Sequence, residues 1–267
     1  MAEHPQALRS KRGAAGHGRV LPWRGGSLWI GREAGAVQRH AHHAIQLTLA
    51  PAAGVRVRGA DEPTWTTASA CIIAPDAMDE FDGCGGDVVM LFVEPESTSG
   101  RRLLARHARG ALSLIEDAHA LALAAQVLAA QKAGADDATL VAAGQAIVEA
   151  LAGGVAVDAV DPRIARSVAW VCDHLHGPVS LAQAAAVAHL SPGRFRHLFV
   201  AQTGIAFRAY VLWARLNVAM AAGMAGNSWT NAAQAAGFAD SAHLSRTCQR
   251  MFGITPGMLG RDLPSPH

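Results

Sequence analysis

The chain has 267 residues, 51% of them hydrophobic and 16% charged, with a formal net charge of +2. It is too apolar for global disorder and long enough for one large domain or two modest ones. Its four cysteines, Cys71, Cys84, Cys172 and Cys248, include no C-x-x-C pair. That argues against a disulfide scaffold or a zinc finger and fits a reducing cytoplasm.

The near-neutral total divides unevenly. Residues 1–160 hold 14 Lys and Arg against 17 Asp and Glu, a net of −3. Residues 161–267 hold 9 against 4, a net of +5. An acidic front and a basic back suggest two parts with different partners, the back compatible with a polyanion.

Residues 1–25 are rich in Arg, Gly and Ala and lack the apolar stretch of a secretory signal; a disordered basic tail is expected there. From 26 to 100 the chain carries short apolar or alternating runs: Ser27–Ile30, Ala44–Leu49, Val55–Arg58, Cys71–Ile73 and Val88–Val93. Gly, Pro and Asp separate them, which predicts a sandwich or barrel. From 101 to 155 Ala, Leu, Val, Gln and Arg dominate, and helices broken near Gly134–Asp137 are expected. The longest apolar run, near Ala118–Ala130, is too short to span a bilayer, so a cytoplasmic protein with no membrane partner is expected. Gly153-Gly154 to Asp161-Pro162 reads as a connector and domain boundary.

The half from Asp161 repeats itself. Ala184–Leu190 resembles Ala232–Phe238, and Phe195–Phe199 matches Leu244–Cys248. Such self-similarity indicates a duplicated supersecondary unit. Each copy reads as helix, tight turn, helix. In the first, Ser191 suits an N-cap, Pro192 the first helical position and Gly204 a C-terminal stop. Phe195, Leu198 and Phe199 form a core stripe, leaving Gly193, Arg196, His197 and Val200 on another face. In the second, Asp240 or Ser241 caps, and Leu244, Cys248, Met251 and Phe252 form the stripe. Phe207–Met220 has helical spacing and would hold the two units at a fixed distance. These are the parts of a helix-turn-helix, whose second helix enters the DNA major groove.

The residues Leu190–Phe199, Thr203-Gly204, Tyr210, Arg215, Ala236–Asp240, Leu244–Arg246 and Phe252–Pro256 resemble the DNA-binding domain of the AraC/XylS family of bacterial transcription regulators. The resemblance spans residues 161–262. It implies double-stranded promoter or operator DNA as partner. It places Gly193, Arg196 and His197 of the first unit, and Ser241, Ala242, His243, Ser245 and Arg246 of the second, in base-facing positions. Arg196 and Arg246 are the leading candidates, because Arg pairs bidentately with guanine. The plainer alternative for each is an exposed surface residue. Gly193 offers no side chain for base contact, and Cys248 stands where the family usually has Phe.

The front half resembles the cupin-like β-barrel sensor domains that precede this DNA-binding domain. In Arg39-His40-Ala41-His42-His43, His40 and His42 would share one face of a strand. Metal-binding cupins follow H-x-H with a carboxylate and a later His; here Gln46 and Asp79 stand in those places. No metal or other cofactor is therefore expected, and His40, His42, Gln46 and Asp79 become candidate contacts for a small-molecule effector. Trp65 would line the barrel mouth or pack its wall. Residues 101–155 resemble dimerisation helices, the alternative being that they cover the barrel. RNA polymerase and a second copy of the chain are the further partners implied.

The expected fold is thus α+β and multidomain, a cupin-like barrel with helices followed by an all-α domain with two helix-turn-helix units joined by a linker helix. No nucleophile–base arrangement or phosphate-cradling Gly loop stands out, so catalysis is not expected. The competing reading is a cupin-type metalloprotein or enzyme with a helical appendage.

Overall fold

The computed structural model describes residues 16–33 and 35–261. The strands in chain order are β1 (Gly16–Trp23), β2 (Gly26–Glu33), β3 (Ala36–His40), β4 (Ile45–Leu49), β5 (Val55–Gly59), β6 (Thr66–Ala68), β7 (Ala70–Ile73), β8 (Asp79–Asp82) and β9 (Asp87–Val93). Helix α1 (Thr98–His107), strand β10 (Leu112–Leu114) and helices α2 (Ala118–Lys132) and α3 (Asp137–Ala152) follow. The remaining helices are α4 (Pro162–Asp173), α5 (Leu181–Val187), α6 (Pro192–Thr203), α7 (Phe207–Met224), α8 (Trp229–Ala235) and α9 (Ser241–Phe252). A 3₁₀ turn, Pro256–Met258, leads into β11 (Leu259–Arg261).

The strands form two sheets, one ordered β10-β7-β4-β9-β2-β1-β11 and the other β3-β8-β5-β6. Alternation along β9 shows why the larger sheet is covered on both faces. Val89, Leu91 and Val93 join a core with α2 and α3, whereas Val88, Met90 and Phe92 point into the space facing the smaller sheet. A strand with period-two side chains that is apolar throughout must be buried on both sides. β4 differs instructively. Its Ile45, Leu47 and Leu49 meet the helices, and the intervening Gln46 and Thr48 are buried polar groups on the other face.

Two expectations change here. Gly16–Trp23, placed by sequence in a disordered tail, is a strand paired along its whole length with β2 from Gly16↔Glu33 to Trp23↔Gly26. Gly25 (φ +99) lies in the two-residue turn between them. Residues 1–15 of that expected tail lie outside the described residues. The large sheet also draws strands from beyond residues 26–100: β10 pairs with β7, and β11 pairs in parallel with β1. Pairing with β2 along the whole of β1, and with β11 over Gly16–Gly18, supplies the hydrogen bonds that residues 16–23 lack as an isolated tail.

Helices α2 and α3 start at aspartate N-caps, Asp117 and Asp136, each accepting a backbone N–H three residues on. Their buried residues, including Ala124, Val127, Leu140, Ile147 and Leu151, pack on the large sheet. The apolar faces of these helices therefore cover the barrel within one chain.

The helical half has two different cores. Helices α4, α5, α6 and the start of α7 enclose Ile164, Val171, Phe195, Phe199, Phe207 and Tyr210. The rest of α7 with α8 and α9 has no core separate from the β-rich half. Trp213, Leu216, Met220, Leu244, Cys248 and Phe252 share one cluster with Trp29, Val57, Phe81 and Phe92 of the sheets. Among the described residues, no helix is long and apolar enough to cross a membrane.

Candidate nucleic-acid interface and sensor site

Local chemistry sets both helix-turn-helix units. In the first, α5 opens on a capping box in which the Ser180 hydroxyl and Gln183 side chain satisfy one another's backbone N–H groups. The turn runs through His189, whose φ of +55 is uncommon for a residue with a Cβ. Ser191 caps α6, Pro192 occupies its first turn and Gly204 ends it in the left-handed conformation. In the second unit Gly237 (φ +76) makes the turn and Asp240 caps α9, accepting from the His243 N–H at 2.6 Å. Gly253 ends α9 with φ +67. Of the two capping candidates, Asp240 takes the role and Ser241 becomes the first helical residue.

The apolar stripes face inward as the spacing requires. Phe195 and Phe199 are fully buried, as are Leu244 and Cys248. The buried Cys248 thiol lies 3.8 Å from the sulfur of Met220, which is also fully buried. On the outer faces Gly193, Arg196 and His197 are exposed, with Val200 beside them. Ala242 and Arg246 are exposed, and Ser241, His243 and Ser245 are half-buried. His243 packs its ring edge against Phe238, centroids 5.1 Å apart, so it has a packing role as well. Helix α7, at 18 residues about 27 Å long, connects the units. Arg215 on it donates to the carbonyls of Leu175 and Gly177, tying the α4–α5 loop to α7.

The four candidate sensor residues are brought together. His40 ends β3, His42 follows it, Gln46 points inward from β4 and Asp79 opens β8 opposite His40. His40 donates from Nδ1 to the Gln38 carbonyl at 2.9 Å, and its Nε2 lies 3.9 Å from Asp79 Oδ1. His42 donates to the Ala44 carbonyl at 2.9 Å, and its Nε2 lies 3.0 Å from the Gln46 amide, which reaches the Thr48 hydroxyl. Burial lowers the pKa of both rings, His42 to about 4 with help from its neighbour His40. Burial, then the nearby Glu80 carboxylate, raises Asp79 to about 7. Both Asp79 oxygens are buried without a hydrogen-bond partner. Ligand atoms of His40, His42 and Asp79 lie within 4.8 Å of one another, close enough to converge on one small group.

This cluster touches the second helix-turn-helix unit directly. The His42 ring stacks on Trp213 of α7 at 5.8 Å and lies 6.2 Å from Phe252, the last residue of α9. Phe252 also meets Trp29 at 4.8 Å and Phe92 at 5.5 Å. Sequence reasoning missed this junction, because stripe periodicity identifies an apolar face but not its partner. Trp65 lies on the smaller sheet beneath the guanidinium groups of Arg56 and Arg58, so it packs the wall. A separate open cleft of 1140 Å³ lies between β1, β2, the α2–α3 turn and the end of α7. Val20, Leu128 and Met224 line it alongside Arg19, Arg32 and Lys132, and none of the four candidate sensor residues does.

A helix-turn-helix domain family matches residues 184–262. No curated protein matches the chain. Among solved structures, an apo point variant of ToxT from Vibrio cholerae strain SCE256 superposes with a TM-score of 0.58 at 8% identity, covering 87% of this chain and 96% of that one. ToxT from Vibrio cholerae O395 bound to (E)-4-(8-methylnaphthalen-1-yl)but-3-enoic acid gives 0.56 at 10% identity, over 87% and 97%. An AraC-type transcriptional regulator from Chromobacterium violaceum is 27% identical over 36% of this chain and 87% of its own, with a TM-score of 0.35. Residues 184–262 thus match a helix-turn-helix domain, carried on a chain with the two-part fold of ToxT.

Proposed function

We propose that the protein is a sequence-specific DNA-binding transcription regulator of the bacterial cytoplasm, not an enzyme. One observation carries this reading: two capped helix-turn-helix units, joined by one continuous helix, each turn an exposed arginine outward. Arg196 and Arg246 read base edges, with Gly193, His197, Ser241, Ala242, His243 and Ser245 forming the rest of the two contact surfaces. Phosphate neutralisation by the basic half supplies sequence-independent affinity. The test is binding of the full chain to intergenic DNA flanking its own gene. Affinity should fall steeply and log-linearly with salt; no binding to any such fragment at low salt would contradict the reading.

The reading includes a small-molecule effector, contacted by His40, His42, Gln46 and Asp79. Its support is the pair of unpartnered Asp79 oxygens beside two neutral imidazoles, in ring contact with α7 and α9. That ToxT has been crystallised with a carboxylic acid is consistent with a small-molecule response in this fold. The 1140 Å³ cleft is the second place a ligand could enter. Substitution at Asp79 and at Lys132 separates the two, since only one should weaken an effector found by thermal-shift screening. Homodimerisation through the outer faces of α2 and α3 and contact with RNA polymerase belong to the same proposal. Light scattering and co-purification check them.

A further inference from the structure

The junction between the β-rich half and α7 holds a second polar cluster, separate from the four sensor residues. His43 precedes β4, and Glu94 and Glu96 follow β9; the Ile45↔Val93 pairing of these strands brings the three together. His43 Nε2 lies 3.3 Å from Glu96 Oε2, and ligand atoms of all three residues fall within 4.8 Å of one another. His43 is 3% exposed and Glu96 7%. Glu94 Oε2, Glu96 Oε1 and His43 Nδ1 are each buried without a hydrogen-bond partner. Glu94 is half-buried and Glu96 buried, and two such carboxylates with buried oxygens repel when ionised unless something positive lies between them.

We propose that His43, Glu94 and Glu96 bind a divalent first-row transition-metal cation of the zinc type, which braces the linker helix against the sensor. Ligation requires the imidazole neutral and both carboxylates ionised, a set that carries −2 and that one such cation balances. Mixed nitrogen and oxygen donors suit zinc better than magnesium or calcium. Donors about 2.1 Å from a tetrahedral ion stand roughly 3.4 Å apart, close to the His43–Glu96 separation. The brace reaches α7 directly: the Trp213 indole N–H donates to Glu94 Oε1 at 2.9 Å, and the Tyr210 ring stands edge-on to His43 at 6.0 Å. Glu94 thus joins the cation to the helix that spaces the two reading units.

Full-length protein stripped with a chelator is titrated with Zn²⁺ by calorimetry and with Co²⁺ by visible absorption and tryptophan fluorescence. The expected result is one ion per chain at micromolar affinity or tighter, a raised Tm, cobalt d–d bands and quenching that Trp213→Phe diminishes. Glu96→Gln, which keeps the Glu94–Trp213 bond, and the double variant Glu94→Gln/Glu96→Gln should each weaken binding by more than tenfold. His40→Gln/Asp79→Asn should leave it intact. Metal-free Tm and circular dichroism report whether each variant folds; the Trp213→Phe quenching test does not depend on replacing a ligand. No binding below millimolar Zn²⁺, binding unchanged in folded Glu96→Gln, or quenching unchanged in Trp213→Phe would overturn the proposal.

Discussion

At the residue scale, burial favours the neutral forms of His40, His42 and Asp79 in their shared cluster. Asp79 is raised from 3.8 to about 7, so the fold prefers its protonated form. That stability is complete below about pH 4, erodes as the pH rises towards 7 and stays lost above it. His42, lowered to about 4, works in the opposite direction: the fold prefers it neutral, and stability falls as the pH drops from 6.5 towards 4. Asp79→Asn removes the first dependence while keeping the shape. Thermal unfolding should show the variant gaining stability over the parent at pH 8 and gaining less, or nothing, at pH 5; an equal shift at both would show that Asp79 ionisation is not the cause. The His40 and His42 candidates were legible as a local H-x-H pattern, but the expected shared strand face was not formed: β3 ends at His40 and His42 lies in the turn before β4. The unpartnered state of Asp79 was not legible, since it depends on what β3 and β4 leave around it.

At the element scale, two helices of the same design end in the same way but meet different surroundings. Gly204 and Gly253 both adopt left-handed conformations, φ +78 and +67, at the ends of α6 and α9. A Cβ at Gly204 would meet nothing within 4 Å, whereas one at Gly253 would lie 2.1 Å from the Gln38 carbonyl oxygen of β3. Gly204→Ala should therefore cost only the left-handed penalty, about 1 kcal/mol. Gly253→Ala should cost appreciably more, because β3 and α9 must move apart. Denaturant unfolding of the two variants checks this, and equal costs would mean that the α9–β3 contact yields freely. The caps and the first stop could be read from Ser191-Pro192, Gly204 and the Asp240-Ser241 pair because capping is decided within a few residues. Strand β11 could not, because its pairing with β1, Gly16↔Leu259, joins residues far apart in sequence; β1 was hidden in an Arg-, Gly- and Ala-rich stretch although its partner β2 follows directly. The short β3, β8 and β10 were missed because their partners lie far away in the chain, and the three-residue β6, paired with the nearby β5, because it is too short to show a pattern.

At the scale of the whole molecule, the two helix-turn-helix units are unequally attached. The first has its own core; the second shares one with the sheets, through Trp213, Met220 and Phe252. A fragment comprising residues 161–261 should keep slow amide exchange in α6 and lose it in α9; equal protection of both helices would show that the second unit is self-sufficient. Phe252→Ala in the full chain removes a ring that contacts Trp29, Phe92 and Trp213, and should cost about 3–5 kcal/mol. The charge division between the halves pointed to two partners, and the shared core shows how the halves are mechanically joined. The most direct test of the account is a footprint of the full chain on genomic DNA that it selects, repeated with Arg196→Ala and Arg246→Ala. Two protected major-groove segments about one helical turn apart are predicted, each arginine replacement weakening one segment by about 1–3 kcal/mol without lowering Tm. A single protected segment, or affinity unchanged in both variants, would contradict it.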